Sequence, residues 1–378
     1  MAGLYMHIPY CRRKCIYCDF YSGGDRRARW QELADASLAE LQSRKSEVCG
    51  DFETLYLGGG TPSLCPDSEL RRLTAGLRSI CGERWNVSEA TIELNPDDVT
   101  DERVEKWQEA GFNRFSLGVQ SLCDEELAAI RRRHDAATAV NAMELLMQTG
   151  CDVSVDLMYA LPGQSRRSWQ HSLDRVAAMQ PQHISAYALM YEDGTALSAL
   201  EKQGKIRRAS DGEYIAMYCT LIDTLSAAGY EHYEISNFAL PGHRSRHNSS
   251  YWQGMPYIGL GPAAHSYDGD RARRANNPDI EGYLASKGIC VPHQTEHLDD
   301  AMLLDEFLLT RLRMCEGFAV DDFRSRFGKN NTQRLIAEVR KEMPHGGIEM
   351  TAEGTVRLTR QGVMTSDSII LDLASVLS

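Results

Sequence analysis

The 378-residue chain has no apolar run near the ~18 residues that a membrane-spanning helix requires. It has no excess of positive charge either: 41 Lys and Arg stand against 53 Asp and Glu, a net charge of −12. That deficit excludes broad nucleic-acid binding, which needs cations to displace the counterions of phosphate. Arg131-Arg132-Arg133 is a local exception, and a solvated helix end accounts for two of its three arginines. Internal repeats and low-complexity linkers are missing. Met6-His7-Ile8-Pro9 runs straight into a cysteine cluster without the charged start and apolar stretch of a signal peptide, so none is expected. Eleven cysteines, an odd number, then predict a reducing, cytoplasmic setting with mostly free thiols.

Cys11, Cys15 and Cys18 lie within eight residues in a Cys-x3-Cys-x2-Cys spacing, with Tyr17 before the third. Three thiolates can hold a [4Fe-4S] cluster by three corners, which leaves one iron for a small molecule. Four cysteines would close the cluster and make it an electron store. Zinc would need a fourth ligand, which His7 could offer, but structural zinc sites pair two short hooks and the second is absent. Buried structural thiols are the other alternative. Arg12, Arg13 and Lys14 between the cysteines favour a solvated loop and thiolate formation. The other eight cysteines read as small core residues.

The first half alternates short apolar runs with amphipathic stretches. Strands are expected at 3–8, 54–57, 91–94, 114–119, 153–158 and 183–189. Helices are expected from about Arg27 to Lys45, then at 67–80, 101–110, 136–149 and 165–179. Such alternation implies parallel strands with right-handed crossovers, as a partial (β/α) barrel or an open doubly wound sheet. Cys11, Gly58–Thr61, Glu93, Gln120 and Asp156 fall near strand C-terminal ends, where both folds place reactive groups. Beyond Asp211 come a helix at 213–228, a short strand at 233–235, a loop-rich stretch at 237–277, and a small helical domain with a β element.

Gly58-Gly59-Gly60-Thr61-Pro62 follows a strand, where glycines let backbone approach a ligand or simply make a tight turn. Glu93 ends an apolar strand and could accept hydrogen bonds from ribose hydroxyls, or serve as a cap or ion-pair partner. Gln120, Arg132 and Asp156 pose the same choice. Asp156, between Val155 and Leu157, is expected to be buried with a partner.

Taken together, Tyr5-x-His7-Ile8-Pro9-x-Cys11-x3-Cys15-x2-Cys18-Asp19-Phe20 resembles the oxygen-independent coproporphyrinogen III oxidase-like branch of radical S-adenosylmethionine (SAM) proteins. The likeness continues through Gly58–Pro62, 116–121, 156–164 and 233–237, and so covers nearly the whole chain. It implies a partial (β/α)6 barrel at 1–235, a loop-rich extension at 236–290, and a small, mainly helical C-terminal domain at 291–378. Cys11, Cys15 and Cys18 would hold the cluster, with Tyr5, Gly59, Gly60, Thr61 and Glu93 around SAM. Gln120, Arg132, Asp156 and Ala188 match positions that contact a second SAM in the oxidase.

The branch contains the oxidase and a haem chaperone. Three features resemble the chaperone group: Phe20 where the oxidase has a further cysteine, only ten residues before Cys11, and His247-Asn248-Ser249-Ser250-Tyr251-Trp252, an HNxxYW motif. The motif implies a haem site at His247, Asn248, Tyr251 and Trp252. Imidazole is a standard axial ligand, and the aromatic rings can stack on a macrocycle. His265 is a second candidate, and His243 is expected to be merely exposed. The implied partners are haem, acceptor haemoproteins and an electron-donor protein, with a dimer allowed. The alternatives are the oxidase itself, a radical SAM enzyme on another substrate, and a zinc-stabilised interaction protein.

Overall fold

The computed structural model describes residues 2–24 and 28–377. Six strands alternate with helices through the first half: β1 (Ala2–Ile8), β2 (Phe52–Gly59), β3 (Trp85–Leu94), β4 (Arg114–Gln120), β5 (Asp152–Tyr159) and β6 (His183–Ala188). The crossovers are α1 (Trp30–Arg44), α2 (Asp67–Cys81), α3 (Asp101–Glu109), α4 (Asp124–Ala129), α5 (Ala136–Met147) and α6 (Arg166–Met179). All six strands pair in parallel, in chain order. The expected start of the first helix at Arg27 lies outside the described residues. The helix itself runs from Trp30.

Local chemistry sets the helix ends. Thr100 caps α3 by accepting from the Arg103 amide. Gly111, at φ +96°, supplies the left-handed turn after it. Ser165 and Ser168 form a reciprocal box at the start of α6. Along α2, Leu70, Leu73, Thr74, Leu77 and Cys81 are buried, the spacing of one helical face.

The strands carry a two-sided code. Leu4, Met6, Ile8, Leu55, Leu57, Ile92, Leu94, Phe115, Leu117, Val153, Val155 and Ile184 are buried in the main core. The alternate residues, among them Tyr56, Thr91, Glu93, Arg114, Ser116, Ser154, Asp156 and Ser185, line an inner cavity. A strand residue reverses face at each step, so one sequence serves an apolar outside and a polar lumen. Burying each large outer side chain contributes about 1.5–3 kcal/mol.

The stretch expected to be loop-rich carries four short strands and a short helix, and two further strands flank it. β7 (Glu231–Glu234), β8 (Asn237–Ala239), β9 (Tyr257–Leu260), β10 (His265–Tyr267), β11 (Ala272–Asn276) and β12 (His293–His297) all join the barrel sheet. The twelve-stranded order is β12-β11-β10-β9-β1-β2-β3-β4-β5-β6-β8-β7. β9 runs parallel to β1, with Tyr5 opposite Gly259. The expected boundary at 235 therefore falls inside the β7–β8 hairpin. The boundary at 291 falls before a strand of the same sheet, and the separate second core begins at Leu304. These strands have three to five residues each, too short for a visible period. The second core packs helices at 300–311, 320–342 and 366–377 against a three-stranded sheet. Among the described residues no helix is long and apolar enough to cross a membrane.

Candidate metal-cluster site

The C-terminal ends of the parallel strands open into a cavity of about 400 Å³. Its wall includes Cys11, Cys15, Cys18, Gly59, Gly60, Thr61, Glu93, Gln120, Arg132, Asp156, Ala188 and Asn248. Residues spread over more than 230 positions of the sequence (11 to 248) thus meet in one space. Tyr5, His247, Tyr251 and Trp252 are not part of that wall.

The cysteine loop leaves β1 and is held at both ends. Tyr10–Cys11 pairs in parallel with Gly23–Gly24. His7 ties the loop back to the strand, with Nε2 2.8 Å from the Tyr21 carbonyl and Nδ1 3.1 Å from the Tyr5 hydroxyl. Both nitrogens are thus engaged, which removes His7 as a fourth metal ligand. Tyr5 serves behind the wall, through His7, rather than in it. The Thr61 hydroxyl donates to Cys11 Sγ at 3.3 Å. Burial pushes the Cys18 thiol up to about 11.

The glycine run answers to the protein's own atoms. A Cβ on Gly58 would stand 2.8 Å from Glu93 Oε1, and one on Gly60 would stand 2.7 Å from the carbonyls of Ile8 and Tyr10. Gly59 has φ +104°, and a Cβ there would stand 2.5 Å from the His7 ring. The close approach expected for a ligand is therefore also one between β1, β2 and β3.

Glu93 holds this corner together. It accepts from the Tyr56 hydroxyl at 2.9 Å and from the Gly59 amide at 3.0 Å. Burial, then the nearby Asp156 carboxylate, pushes Glu93 up to about 7. Burial likewise pushes Asp156 up to about 6, against the hydroxyls of Ser116 and Ser185. Two carboxylates facing one lumen suit a ligand with positive charge.

Of the three consecutive arginines, Arg131 is exposed at φ +57° and Arg133 pairs with Asp97 at 2.8 Å. Arg132 turns inward. Its Nη2 donates to Asn95 Oδ1 at 2.7 Å and to the Gly118 carbonyl at 2.6 Å, and its Nη1 stands 3.5 Å from Cys15 Sγ. Its buried Nε has no hydrogen-bond partner. Gln120 takes φ +67°, where β4 slips register against β5. That irregularity turns the strand end toward the cavity.

The HNxxYW stretch forms a short helix (Arg246–Trp252), not an open loop. His247 is buried at 1% exposure. Its Nδ1 lies 2.8 Å from Thr54 Oγ1, its Nε2 2.8 Å from the Tyr251 hydroxyl, and its ring stacks on Tyr56 at 5.1 Å. Glu89 accepts from the amides of Arg246 and His247 and so caps the helix. With both nitrogens bonded, His247 offers no lone pair to iron in this arrangement. The axial-ligand expectation is revised to a structural role behind Tyr56 and Glu93. Tyr251 packs edge-on against Tyr257 at 4.6 Å, and Arg313 lies over Trp252 at 5.7 Å, so neither ring presents a free face inside the cavity. Asn248 alone of the motif reaches the lumen. His265 is exposed on β10, away from the cavity wall, and His243 bonds Asp152 Oδ1 at 2.8 Å.

Sequence reasoning missed Tyr56, Asn95, Ser116, Ser185 and Tyr187, which line the same cavity. The signal was available for all but Asn95: Tyr56, Ser116, Ser185 and Tyr187 are inward residues of strands whose alternate positions are apolar, while Asn95 follows the end of β3.

Three thiols on one wall, beside a buried guanidinium, fit an anionic iron–sulfur cluster better than a single ion. Among the described residues no group of His, Cys, Asp and Glu gathers closely enough to hold one metal ion. A cubane spreads its sulfur ligands over three corners, so it needs no such convergence.

Known proteins are similar to the chain at both levels. The radical SAM superfamily pattern matches residues 5–176. The heme chaperone HemW of Bacillus subtilis is 30% identical over 375 residues, which is 98% of each chain. The zebrafish radical S-adenosyl methionine domain-containing protein 1 is 32% identical, covering 98% of this chain and 86% of its own. The solved structure of coproporphyrinogen III oxidase (HemN) from Escherichia coli superimposes with a TM-score of 0.83 at 20% identity, over 99% of this chain and 90% of that one. The chain belongs to the radical SAM superfamily and, within it, to the HemW family.

Proposed function

We propose that this chain is a haem chaperone that holds a [4Fe-4S] cluster on Cys11, Cys15 and Cys18, binds SAM, takes up haem and passes it to acceptor haemoproteins. The observation that carries the cofactor part is the meeting of the three thiols, Gly59–Thr61, Glu93 and Asp156 around one cavity. The names of the HemW relatives support the haem part, and so does Phe20 at the place of the oxidase's further cysteine. When bound, the cluster supplies an open iron and an electron. The protein's own residues supply the rest. Thr61 hydrogen-bonds a cluster sulfur ligand, and Arg132 places a cation beside another. Glu93, fixed by Tyr56 and the Gly59 amide, presents a carboxylate to ribose hydroxyls or a cationic group.

The raised carboxylates make SAM affinity pH-dependent. SAM carries a sulfonium, so it favours ionised Glu93 and Asp156. Affinity is expected to rise as pH climbs through about 6 and about 7 and to fall in acid. A one-unit drop in the pKa of Glu93 on binding is worth about tenfold in affinity. Calorimetry between about pH 5.5 and pH 8 checks this, and Glu93→Gln should flatten the profile. Tighter binding in acid would contradict the role given to both carboxylates.

The chaperone assignment is tested by loading anaerobically reconstituted protein with haem and adding an apo-haemoprotein. Transfer faster than release of haem to buffer is expected. Gln120, Arg132, Asp156 and Ala188 all line the cavity, and this favours the oxidase as the second reading. Conversion of coproporphyrinogen III to protoporphyrinogen IX without haem transfer would establish that reading instead.

A further inference from the structure

The cavity mouth carries an apolar rim that the cofactor site does not use. Met190 is 63% exposed and Phe20 62% exposed, surpassed among the large apolar side chains of the described residues only by Ile289 and Leu371, which do not line the cavity. Both border the same cavity, Phe20 from the cysteine loop and Met190 from the segment after β6. Large apolar side chains left in water at a cavity mouth mark a ligand or partner surface. Arg13 and Lys14 border the same opening. Lys14 Nζ donates to the Phe20 carbonyl at 2.9 Å, which fixes an ammonium at the Phe20 backbone.

We propose that this rim is the haem-docking site: the macrocycle lies against Phe20 and Met190, its propionates meet Arg13 and Lys14, and the Met190 thioether faces the iron. The inference rests on the haem-chaperone reading and moves its site from the HNxxYW helix to the barrel mouth. Charge complementarity selects the occupant. A flat apolar ring with two carboxylates at one edge matches an aromatic and a thioether beside two cations. Asp19 and Glu192 also border the opening, so the carboxylate edge is directed to the Arg13–Lys14 side. Thioether sulfur is an established axial donor to haem iron. Neither nitrogen of His247 is free for that task.

Haem titration of the cluster-loaded full chain, followed by absorbance, tests the proposal. Because both rim side chains are exposed, Phe20→Ala/Met190→Ala should keep the fold, which a thermal melt verifies, and the cluster, which iron content verifies. Loss of two apolar contacts is expected to weaken haem binding at least about tenfold. Arg13→Ala/Lys14→Ala should also weaken it, most at low ionic strength, and so reduce its salt dependence. Met190→Leu should weaken haem but leave iron-free protoporphyrin nearly unchanged. His247→Gln should keep the wild-type affinity if it keeps its fold. Failure of the wild type to bind haem would overturn the chaperone reading and the inference with it. Wild-type binding with unaltered rim variants would overturn the inference alone. The same holds if those variants bind haem normally but lose complex formation with an acceptor, because the rim would then be a protein interface.

Discussion

Replacing Cys15 with alanine is expected to leave the protein folded and without its cluster. Anaerobically reconstituted wild type should carry about four iron and four sulfide per chain, and the variant close to none. The cysteine segment lies at the barrel mouth, outside the main apolar core. Far-UV circular dichroism should therefore be unchanged while the iron–sulfur absorbance disappears. With two thiols left, neither His7 nor Glu93 is free to supply the third corner: both nitrogens of His7 are taken, and Glu93 is bonded by Tyr56 and Gly59. Arg132 would also lose the sulfur that its Nη1 faces. Cys65→Ala is the control, because that thiol is buried and belongs to the core. A Cys15→Ala protein with full iron and sulfide would remove the triad from the site.

The second large effect concerns stability. Arg44→Met is expected to cost about 3–5 kcal/mol, because it leaves the Glu40 carboxylate buried without its cation. Glu40 is fully buried and accepts from Arg44 Nη1 at 2.7 Å, Asn276 Nδ2 at 2.8 Å, the Tyr283 hydroxyl at 2.8 Å and the Gly261 amide at 3.1 Å. Arg44 also donates to the Gly259 carbonyl and to Ser266 Oγ. The pair therefore bolts α1 to β9 and the strands beyond it. Urea denaturation with intrinsic fluorescence measures the loss. Adding Glu40→Gln should recover part of it, since the uncompensated charge is then gone. A neutral Arg44→Met would show that Glu40 finds another cation or takes up a proton at little cost.

Much of the barrel was legible because its signals are local. A cysteine spacing, a capping threonine, a glycine after a helix and a strand-helix rhythm each need only a few residues of context. The six core strands appear at the expected places. β3 extends back to Trp85, where alternate side chains face solvent and the apolar run gave no hint. β9 to β11 were hidden for a different reason. Strands of three to five residues among Gly, Pro and polar groups carry no period of their own; β9 pairs with β1, and β10 and β11 extend the sheet from it. Of the sixteen proposed site residues, those at strand C-terminal ends reach the cavity, because parallel strands bring such ends to one rim. His247 did not, because its side chain turns away from the lumen, and Thr54 and Tyr251 occupy both ring nitrogens.

The sequence by itself determined the cysteine spacing, the parallel-strand architecture and the polar alternation within the strands, since each follows from residue type and spacing. Only the tertiary structure decided which polar side chains share the lumen, that Glu40 and Arg44 are buried together, and that His247 is structural while Phe20 and Met190 stand open at the mouth. Which buried groups meet, and which hydrogen bonds they share, depends on neighbours distant in the chain, and no local pattern encodes that.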